Sequence, residues 1–185
     1  MKKVLVFLAD GFEECEGLIV VDILRRAGAA VTTASAMDRR RICSTHEIEL
    51  YADVMAADVD MSEYDAVVLP GGIPGTPNLA ANPIVTDTCV QFAAEGKLVA
   101  AICAAPSILG SLGLLNGKKA TVYPGMEDTL VGAQPTAGEV VVDGNIVTSR
   151  GMGTAIPFAL TLVAQLFDET FARELADGIC YKHFM

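Results

Sequence analysis

The length, composition and charge of the chain exclude several classes of protein before any motif is considered. Its 185 residues fit a single domain, residues 1–185, and 52% of them are hydrophobic, which is enough to build a full core and excludes a disordered chain. With 13 Lys and Arg against 23 Asp and Glu, the formal net charge is −10. Nucleic acids and anionic membranes select basic surfaces. We therefore expect a small molecule or another protein as partner, with no nucleic acid and no membrane.

The cysteines indicate a reducing compartment rather than a disulfide framework. Their number is odd, they are widely spread and they contain no C-x-x-C pair, which is typical of reduced thiols in a cytoplasmic protein. Neither His46 nor His183 stands in a metal-ligand spacing such as H-E-x-x-H, so we expect no metal and no cofactor. The five cysteines are Cys15, Cys43, Cys89, Cys103 and Cys180.

Two apolar stretches resemble targeting or membrane segments and are interpreted as parts of the core. The run at residues 4–9 is too short for a signal peptide and ends at Asp10. Residues 98–117 carry no charge, but Pro106, Gly110 and other turn-forming residues interrupt them. We expect a strand, a turn and a short helix there, because lipid-exposed irregular backbone is not tolerated within a bilayer.

The first half of the chain alternates predicted strands with a helix. A continuous apolar run predicts a strand covered on both faces at residues 4–8. A helix follows over residues 13–27 and ends at Gly28, a residue suited to a helix C-terminus. Next come a short strand at residues 31–34, a small β-hairpin of residues 41–43 and 47–51, and an apolar strand at residues 66–69.

The second half continues the same alternation. Asn82 before Pro83 is a good helix N-terminus, so a helix is expected from there to Ala94, closed by Gly96. The remaining predicted elements are a strand at residues 98–102, a helix to about Leu112, a short strand at residues 120–123, a hairpin of residues 139–142 and 145–149 around Asp143-Gly144, and helices over residues 154–167 and 169–179.

Strands that alternate with helices of this length form right-handed βαβ units. The predicted fold is therefore a flavodoxin-like three-layer α/β/α sandwich with a mostly parallel sheet and a small β-hairpin. Ligands of such sheets bind beyond the carboxyl ends of the strands, where this chain places Asp10-Gly11, Gly71-Gly72 and Cys103.

Cys103 lies between a buried strand and a helix, which is the setting of a nucleophile elbow. Its small neighbours Ala101, Ala104 and Ala105 permit a tight turn. The N–H groups and dipole of the adjoining helix are expected to lower the pKa of the thiol and to hold an oxyanion. A free cysteine is also often a small buried hydrophobe, and spacing alone leaves both interpretations open.

Glu16 favours the reactive interpretation. On a helical wheel it points in the same direction as Val20, Ile23 and Ala27. A carboxylate on an apolar face is costly, so its pKa should be raised. The helix begins next to the end of the first strand, and a raised-pKa carboxyl beside a low-pKa thiol is a proton-transfer pair.

Two further features bear on assembly and on the pocket. The same helix carries a second apolar stripe, Leu18 and Val21, between Glu14 and Arg25. A helix with two apolar stripes is fully buried or lies at an interface, and we favour a homodimer through this first helix. Gly71-Gly72 is interpreted as backbone that approaches the thiol closely, with a plain tight turn as the alternative.

Four segments in this order resemble the ThiJ/PfpI superfamily, in the branch of the parkinsonism-associated protein deglycase and its bacterial relatives. They are Asp10-Gly11-Phe12-Glu13-Glu14-Cys15-Glu16, Leu69-Pro70-Gly71-Gly72, Ala100-Ala101-Ile102-Cys103-Ala104-Ala105-Pro106 and Thr148-Ser149-Arg150-Gly151-Met152-Gly153-Thr154. The resemblance covers about residues 3 to 180 and implies one flavodoxin-like domain, similar to class I glutamine amidotransferases, that forms a homodimer.

The resemblance also implies roles for single residues. Cys103 would be the reactive thiol and Glu16 the carboxylic acid bonded to it, while Gly72 and Ala104 would supply backbone N–H groups for an oxyanion. Gly71, Tyr123 and Met152 would complete the pocket.

The chain departs from the family pattern at several positions. Tyr123 stands where a histidine is frequent, Thr45 where an arginine is frequent, and Met152 where proline is usual. Ala104 replaces the histidine that follows the cysteine in protease-like members, and His183 precedes Phe184-Met185 rather than forming the His-x-Glu of glutaminases. Peptidase and amidotransferase activities are therefore disfavoured.

Two functions of different classes follow. In the first, Cys103 and Glu16 act on a reactive α-oxoaldehyde, in the manner of a glyoxalase or deglycase, as part of a stress response. In the second, the protein is not an enzyme but an oxidative-stress sensor or redox chaperone, in which an oxidant converts Cys103 to a sulfinate. A scaffold that has lost its activity is a third possibility, since a tyrosine phenol is a poor base at neutral pH.

Overall fold

The computed structural model describes residues 1–184. The central layer of the fold is a seven-stranded sheet, whose strand order is β10-β11-β7-β6-β1-β2-β5. Its strands are β1 (Lys3–Leu8), β2 (Ala30–Ser35), β5 (Val54–Met55), β6 (Ala66–Leu69), β7 (Leu98–Ile102), β10 (Val140–Asp143) and β11 (Ile146–Ser149). All neighbours are parallel except β10 and β11, which form an antiparallel hairpin at one edge.

Within the described residues, six α-helices flank this sheet. They are α1 (Glu14–Arg26), α2 (Gly75–Ala80), α3 (Pro83–Ala94), α4 (Pro106–Ser111), α5 (Ala155–Leu166) and α6 (Glu169–Gly178). Two further sheets of two strands each are formed by β3 (Arg41–Cys43) with β4 (Glu49–Tyr51), and by β8 (Lys119–Ala120) with β9 (Gln134–Pro135). Within residues 1–184, no helix combines the length and the apolar character needed to cross a bilayer.

Two separate apolar clusters cover the two faces of the sheet, which confirms the predicted three-layer α/β fold. Alternate residues of β1 divide between them: Val4 and Val6 pack with α1 and α5, whereas Leu5 and Phe7 pack with α3 and α4. Strands covered on both faces must be apolar at every position. This is why the uninterrupted apolar runs of the sequence locate the central strands.

The strand predicted at residues 120–123 is wrong in extent. Only Lys119–Ala120 is extended, and it pairs with β9 outside the main sheet. The backbone beyond it is bonded elsewhere, because Thr121 N donates to Thr148 Oγ1 at 3.0 Å and Tyr123 N donates to the carbonyl of Cys103 at 2.8 Å. Pro124 has no N–H to continue a ladder. This segment therefore fastens a loop to the end of β7.

Other differences are smaller. Helix α2 lies in a Pro- and Gly-rich stretch for which the sequence analysis predicted no element, and β5 is too short to give an alternation signal. Strand β4 begins at Glu49 instead of residue 47 because Glu47, with φ of 62°, belongs to the turn. Helix α1 begins one residue later than predicted, since Glu13 is its N-cap and accepts a bond from Glu16 N at 2.7 Å.

Candidate functional site

The strand-to-helix turn at Cys103 has the backbone geometry of the nucleophile elbow that the sequence predicted. Cys103 follows β7 directly, and its φ of 64° lies in the left-handed region that a side chain rarely occupies. Two bonds hold it there: its N–H donates to the carbonyl of Ser149 at 3.0 Å, and its own carbonyl accepts from Tyr123 N at 2.8 Å. Backbone of this kind costs free energy that the surrounding structure must supply. The thiol is consequently fixed above the carboxyl end of the sheet and only partly buried.

Glu16 brings a carboxyl group to this thiol from the first turn of α1. Its exposed fraction is only 1%, and its Oε2 accepts a bond from Gly71 N at 2.9 Å. Burial raises the pKa of Glu16 to about 7, while the bonds from Cys103 and Gly71 hold it lower than burial alone would. The predicted raised pKa is therefore present, and a carboxyl group that titrates near neutral pH can exchange protons with a substrate.

Gly71 and Gly72 provide the close backbone approach. A Cβ at Gly71 would lie 2.6 Å from Cys103 Cβ and 2.7 Å from Glu16 Oε2, which leaves no room for a side chain. Gly72 has φ of 93°, a conformation that favours glycine. The N–H groups of Gly72 and Ala104 both reach the sulfur of Cys103 and lower the pKa of its thiol. These are the two donors that the sequence analysis named.

The expectation of a lowered thiol pKa is wrong. Burial and the negative charge of Glu16 together raise the pKa of Cys103 to about 12, and they outweigh the two backbone N–H groups. Helix α4 has only six residues, so its dipole lowers the pKa of Cys103 only weakly. The thiol is hydrogen-bonded to the Glu16 carboxyl group, so the charge state of each group affects the pKa of the other. Protonation of Glu16 removes the negative charge that contributes to the raised pKa of Cys103.

The sulfur opens into a cleft of about 470 Å³. Tyr123, half exposed, forms one wall of it. Met152 does not line this cleft: it lies in a neighbouring cleft of about 640 Å³ on the other side of Tyr123. Gly71 does not line the cleft either, and lies against Cys103 Cβ and Glu16 Oε2. The other lining residues of the thiol cleft are Thr45, Gly72, Ile73, Ala104, Pro124, Gly125 and Met126.

Several of these residues were missed by sequence reasoning. Thr45 reaches the cleft because its Oγ1 donates to the carbonyl of Ile73 at 3.1 Å and its N–H donates to the carbonyl of Phe12 at 2.9 Å. Met126 lies on the same loop as Tyr123, whose N–H donates to the carbonyl of Cys103 in the elbow. No local pattern marks either residue, because both contacts join segments that are distant in the chain.

The apolar stripe predicted on α1 is only partly exposed. Val21 is 7% exposed and belongs to the cluster shared with α5, so its assignment to a surface stripe is wrong. Leu18 is 41% exposed and lines a groove of about 510 Å³. The apolar members of that groove are Cys15, Leu18, Ile19, Ile23, Ile156 and Ile179. The interface candidate is therefore a groove between α1, α5 and the end of α6 rather than two residues on one helix.

Comparison with known proteins identifies the family. The sequence profile of the DJ-1/PfpI family matches residues 2–165. The chain belongs to the DJ-1/PfpI family. Its relatives include DJ-1 proteins that the chain covers almost completely and DJ-1 proteins that are more than twice as long as the matched region. Protein dj-1beta of Drosophila melanogaster is 39% identical over 180 residues, which cover 96% of each chain. Protein DJ-1 homolog A of Arabidopsis thaliana is 42% identical over 178 residues, 95% of this chain but 45% of that protein.

The chain thus spans less than half the length of its Arabidopsis relative and nearly all of the Drosophila one. A protein named deglycase from Pyrococcus abyssi is 37% identical over 153 residues, covering 82% of this chain and 91% of that one. Among solved structures, oxidized Toxoplasma gondii DJ-1 superposes with a TM-score of 0.95 at 37% identity, covering 99% of this chain and all of the other. The predicted family and its DJ-1 branch are confirmed.

Proposed function

We propose that this DJ-1/PfpI protein acts in a stress response by converting small α-oxoaldehydes, such as methylglyoxal, to hydroxy acids without an added cofactor. The observation that carries this proposal is the pairing of a buried carboxyl group, whose pKa is near 7, with a strained and accessible thiol. The deglycase name of the Pyrococcus abyssi relative supports the same class of chemistry.

In the first step the thiol adds to the aldehyde. The Glu16 carboxylate takes the proton of Cys103 while the sulfur forms a bond to the aldehyde carbon. The developing oxyanion lies near the N–H groups of Gly72 and Ala104. Glu16 then returns the proton to that oxygen, which gives a neutral hemithioacetal. Because the pKa of the thiol is raised, the proton must leave as the new bond forms, and this makes Glu16 necessary as the base.

The second step moves a proton between carbon atoms. Glu16 removes the C–H proton of the hemithioacetal and an enediolate forms. The C–H proton returns to the adjacent carbon and the hydroxyl proton passes to the oxygen on that carbon, which yields a thioester of the hydroxy acid. Water then hydrolyses the thioester and restores the thiol. The sum is addition of one water to one α-oxoaldehyde, with no oxidant or reductant consumed. A cleft of about 470 Å³ readily holds a substrate of this size.

The second candidate function is oxidation sensing. A solved relative is described as oxidized Toxoplasma gondii DJ-1, and Cys103 is partly exposed. Two molecules of peroxide would convert the Cys103 thiol to a sulfinate and release two waters. Protonated Glu16 and the N–H groups of Gly72 and Ala104 would then bind the sulfinate oxygens.

One pair of measurements separates the candidates. Lactate formation from methylglyoxal by the purified protein, abolished in Cys103→Ser, supports the enzyme; turnover that persists in Cys103→Ser contradicts it. Selective addition of two oxygens at Cys103 on peroxide treatment, measured by intact mass and absent from Cys103→Ser, supports the sensor. Uniform oxidation of all five cysteines would contradict the sensor.

We also infer a homodimer that works in the cytoplasm, with a second copy of the chain seated on the α1 groove. The groove is apolar at its centre, and Glu14, Asp22 and Arg26 border it, which is the usual anatomy of a protein interface. Light scattering should give twice the chain mass. Leu18→Glu should give the single mass, whereas Val90→Glu, an equally exposed position on α3, should stay dimeric. A dimer that survives Leu18→Glu would exclude this groove.

A further inference from the structure

Beside the start of α1, the fold gathers three side chains that the proposed reaction does not use. Glu13, Glu14 and His46 each offer one ligand atom, and these atoms all lie within 4.8 Å of one another. The two carboxylates come from consecutive residues, but the imidazole comes from the turn between β3 and β4. The sequence shows no metal-ligand spacing here because this proximity arises only on folding.

Glu14 carries the strongest sign of a missing ligand. It is 9% exposed, and its Oε1 lies 2.7 Å from His46 Nδ1. The other oxygen of the same carboxyl group is buried and makes no hydrogen bond of normal length within residues 1–184, although the N–H of Glu14 itself and the Ser44 hydroxyl are close enough to help lower the pKa of this carboxyl group. A buried carboxylate oxygen without a donor is costly, so an unpaired one calls for a ligand.

The geometry of the cluster is held in place from both sides. Glu13 is the N-cap of α1, and its Oε2 accepts from Glu16 N, which fixes the side chain and leaves the second oxygen available. The turn that carries His46 is closed by Ser44, whose N–H donates to the carbonyl of Ile48 at 2.9 Å and whose Oγ accepts from Ile48 N at 3.1 Å. Thr45 N ties this turn to the carbonyl of Phe12 at 2.9 Å, just before α1.

We infer that Glu13, Glu14 and His46 bind a divalent first-row transition metal ion of the Zn²⁺ type. One imidazole nitrogen with two carboxylate oxygens is a donor set that suits such ions, with water in the remaining position. Calcium and magnesium are poorer matches, since they take six or more oxygen ligands and the imidazole offers none. The side chain of His46 is 69% exposed, so an ion can enter from solvent.

This site shares no side chain with the thiol chemistry, although the charge of Glu13 contributes to the raised pKa of Glu16. Glu16 turns its carboxyl group towards Gly71 and the elbow, whereas Glu14 turns its own towards His46. The inference therefore goes beyond the proposed function, and its test needs no activity measurement.

The chain offers an unusually clean test because it holds only two histidines. Zn²⁺ is titrated into the full chain while the two imidazole resonances are followed by NMR and the affinity is measured by calorimetry. We expect the His46 resonance to shift and the His183 resonance to stay. His46→Ala should weaken binding at least about tenfold, and its matched control His183→Ala should not change it.

Two carboxylate variants complete the design. Glu14→Gln keeps the shape and removes the charge, and it should weaken Zn²⁺ binding at least about tenfold. Glu47→Gln, in the same turn as His46, should leave the affinity unchanged. Zn²⁺ bound by scattered thiols would appear instead as an affinity that is equal in His46→Ala and His183→Ala, with neither imidazole resonance shifted. That result would overturn the site, and so would an unchanged affinity in Glu14→Gln.

Discussion

Cys89 on α3 and Cys103 after β7 are two thiols with the same raised pKa, about 12, for different reasons. For Cys89 the only cause is burial, since its side chain has no exposed surface and packs in the apolar cluster on one face of the sheet. For Cys103 burial is joined by the negative charge of Glu16 and opposed by two N–H groups at the sulfur.

The two causes differ in whether they can be removed. An apolar environment around a thiol persists as long as the fold does, so Cys89 stays protonated and unreactive. The charge of Glu16 disappears when that carboxyl group takes up a proton, and its pKa is near 7. Burial, the largest cause of the raised pKa of Cys103, therefore persists, whereas the part that comes from the charge of Glu16 is removable.

The largest expected effect comes from removing one thiol at a time. Cys103→Ala should lower the rate of lactate formation from methylglyoxal at least about 1,000-fold, because the nucleophile is lost. Cys89→Ala should keep that rate, since the side chain lies outside the site. Circular dichroism of both variants checks that each is folded. Equal activity in the two variants would remove the distinction between the thiols.

A smaller effect is expected from crowding the thiol without changing it. In Gly71→Ala the new Cβ would lie 2.6 Å from Cys103 Cβ and 2.7 Å from Glu16 Oε2, so the pair must move apart. Activity should fall at least about tenfold, and the free energy of unfolding by about 1–3 kcal/mol. Gly153→Ala is the matched control, because nothing lies within 4 Å of its added Cβ. Wild-type turnover in Gly71→Ala would show that close contact is dispensable.

The charge of Glu16 can be tested through thiol reactivity. Glu16→Gln removes the negative charge that raises the pKa of Cys103, so the pH midpoint for alkylation of Cys103 should fall by at least about one pH unit. Alkylation is followed by peptide mass spectrometry in buffer with EDTA, so that no metal binds near α1. Cys89 should remain unmodified throughout. A midpoint near 8.5 for Cys103 in both proteins would mean that Glu16 does not govern the thiol.

The parts of the site that sequence predicts are those fixed by local pattern. Cys103 follows an apolar strand and precedes a helix, and Glu16 shares the inward face of α1 with Val20 and Ile23. The elbow and its carboxyl partner follow from strand ends that meet at one edge of the sheet. The same reasoning locates the central strands, whose apolar runs need no tertiary information.

The parts of the site that the sequence does not predict depend on contacts between segments that are distant in the chain. The loop after β8 is bonded to the elbow through Tyr123 rather than extended as a strand. Val21 is covered by α5, which a wheel of α1 alone cannot show. The direction of the thiol pKa depends on how close Glu16 comes and how little water remains, and neither quantity is encoded in spacing.

Glu16 also differs from an ordinary carboxyl group in how it makes the free energy of unfolding depend on pH. Its pKa in the folded chain, about 7, lies above the usual 4.5. The folded state therefore binds this proton more tightly than the unfolded state does, so the stability it contributes is present below about pH 4.5 and is lost as the pH rises through about 7. The full loss is roughly 3 kcal/mol, which corresponds to several degrees of Tm for a chain of this size.

Thermal unfolding of the wild type and of Glu16→Gln in EDTA buffer measures this contribution, because the Glu16 carboxyl group titrates only in the wild type. The difference in Tm between the two should change by several degrees between pH 5 and pH 8.5, with the wild type losing more stability as the pH rises. Glu174→Gln, at an exposed position of α6, should follow the wild type at each pH. Parallel curves for the wild type and Glu16→Gln would mean that the carboxyl group titrates in the folded protein as it does in the unfolded chain, which would contradict a pKa near 7 for Glu16.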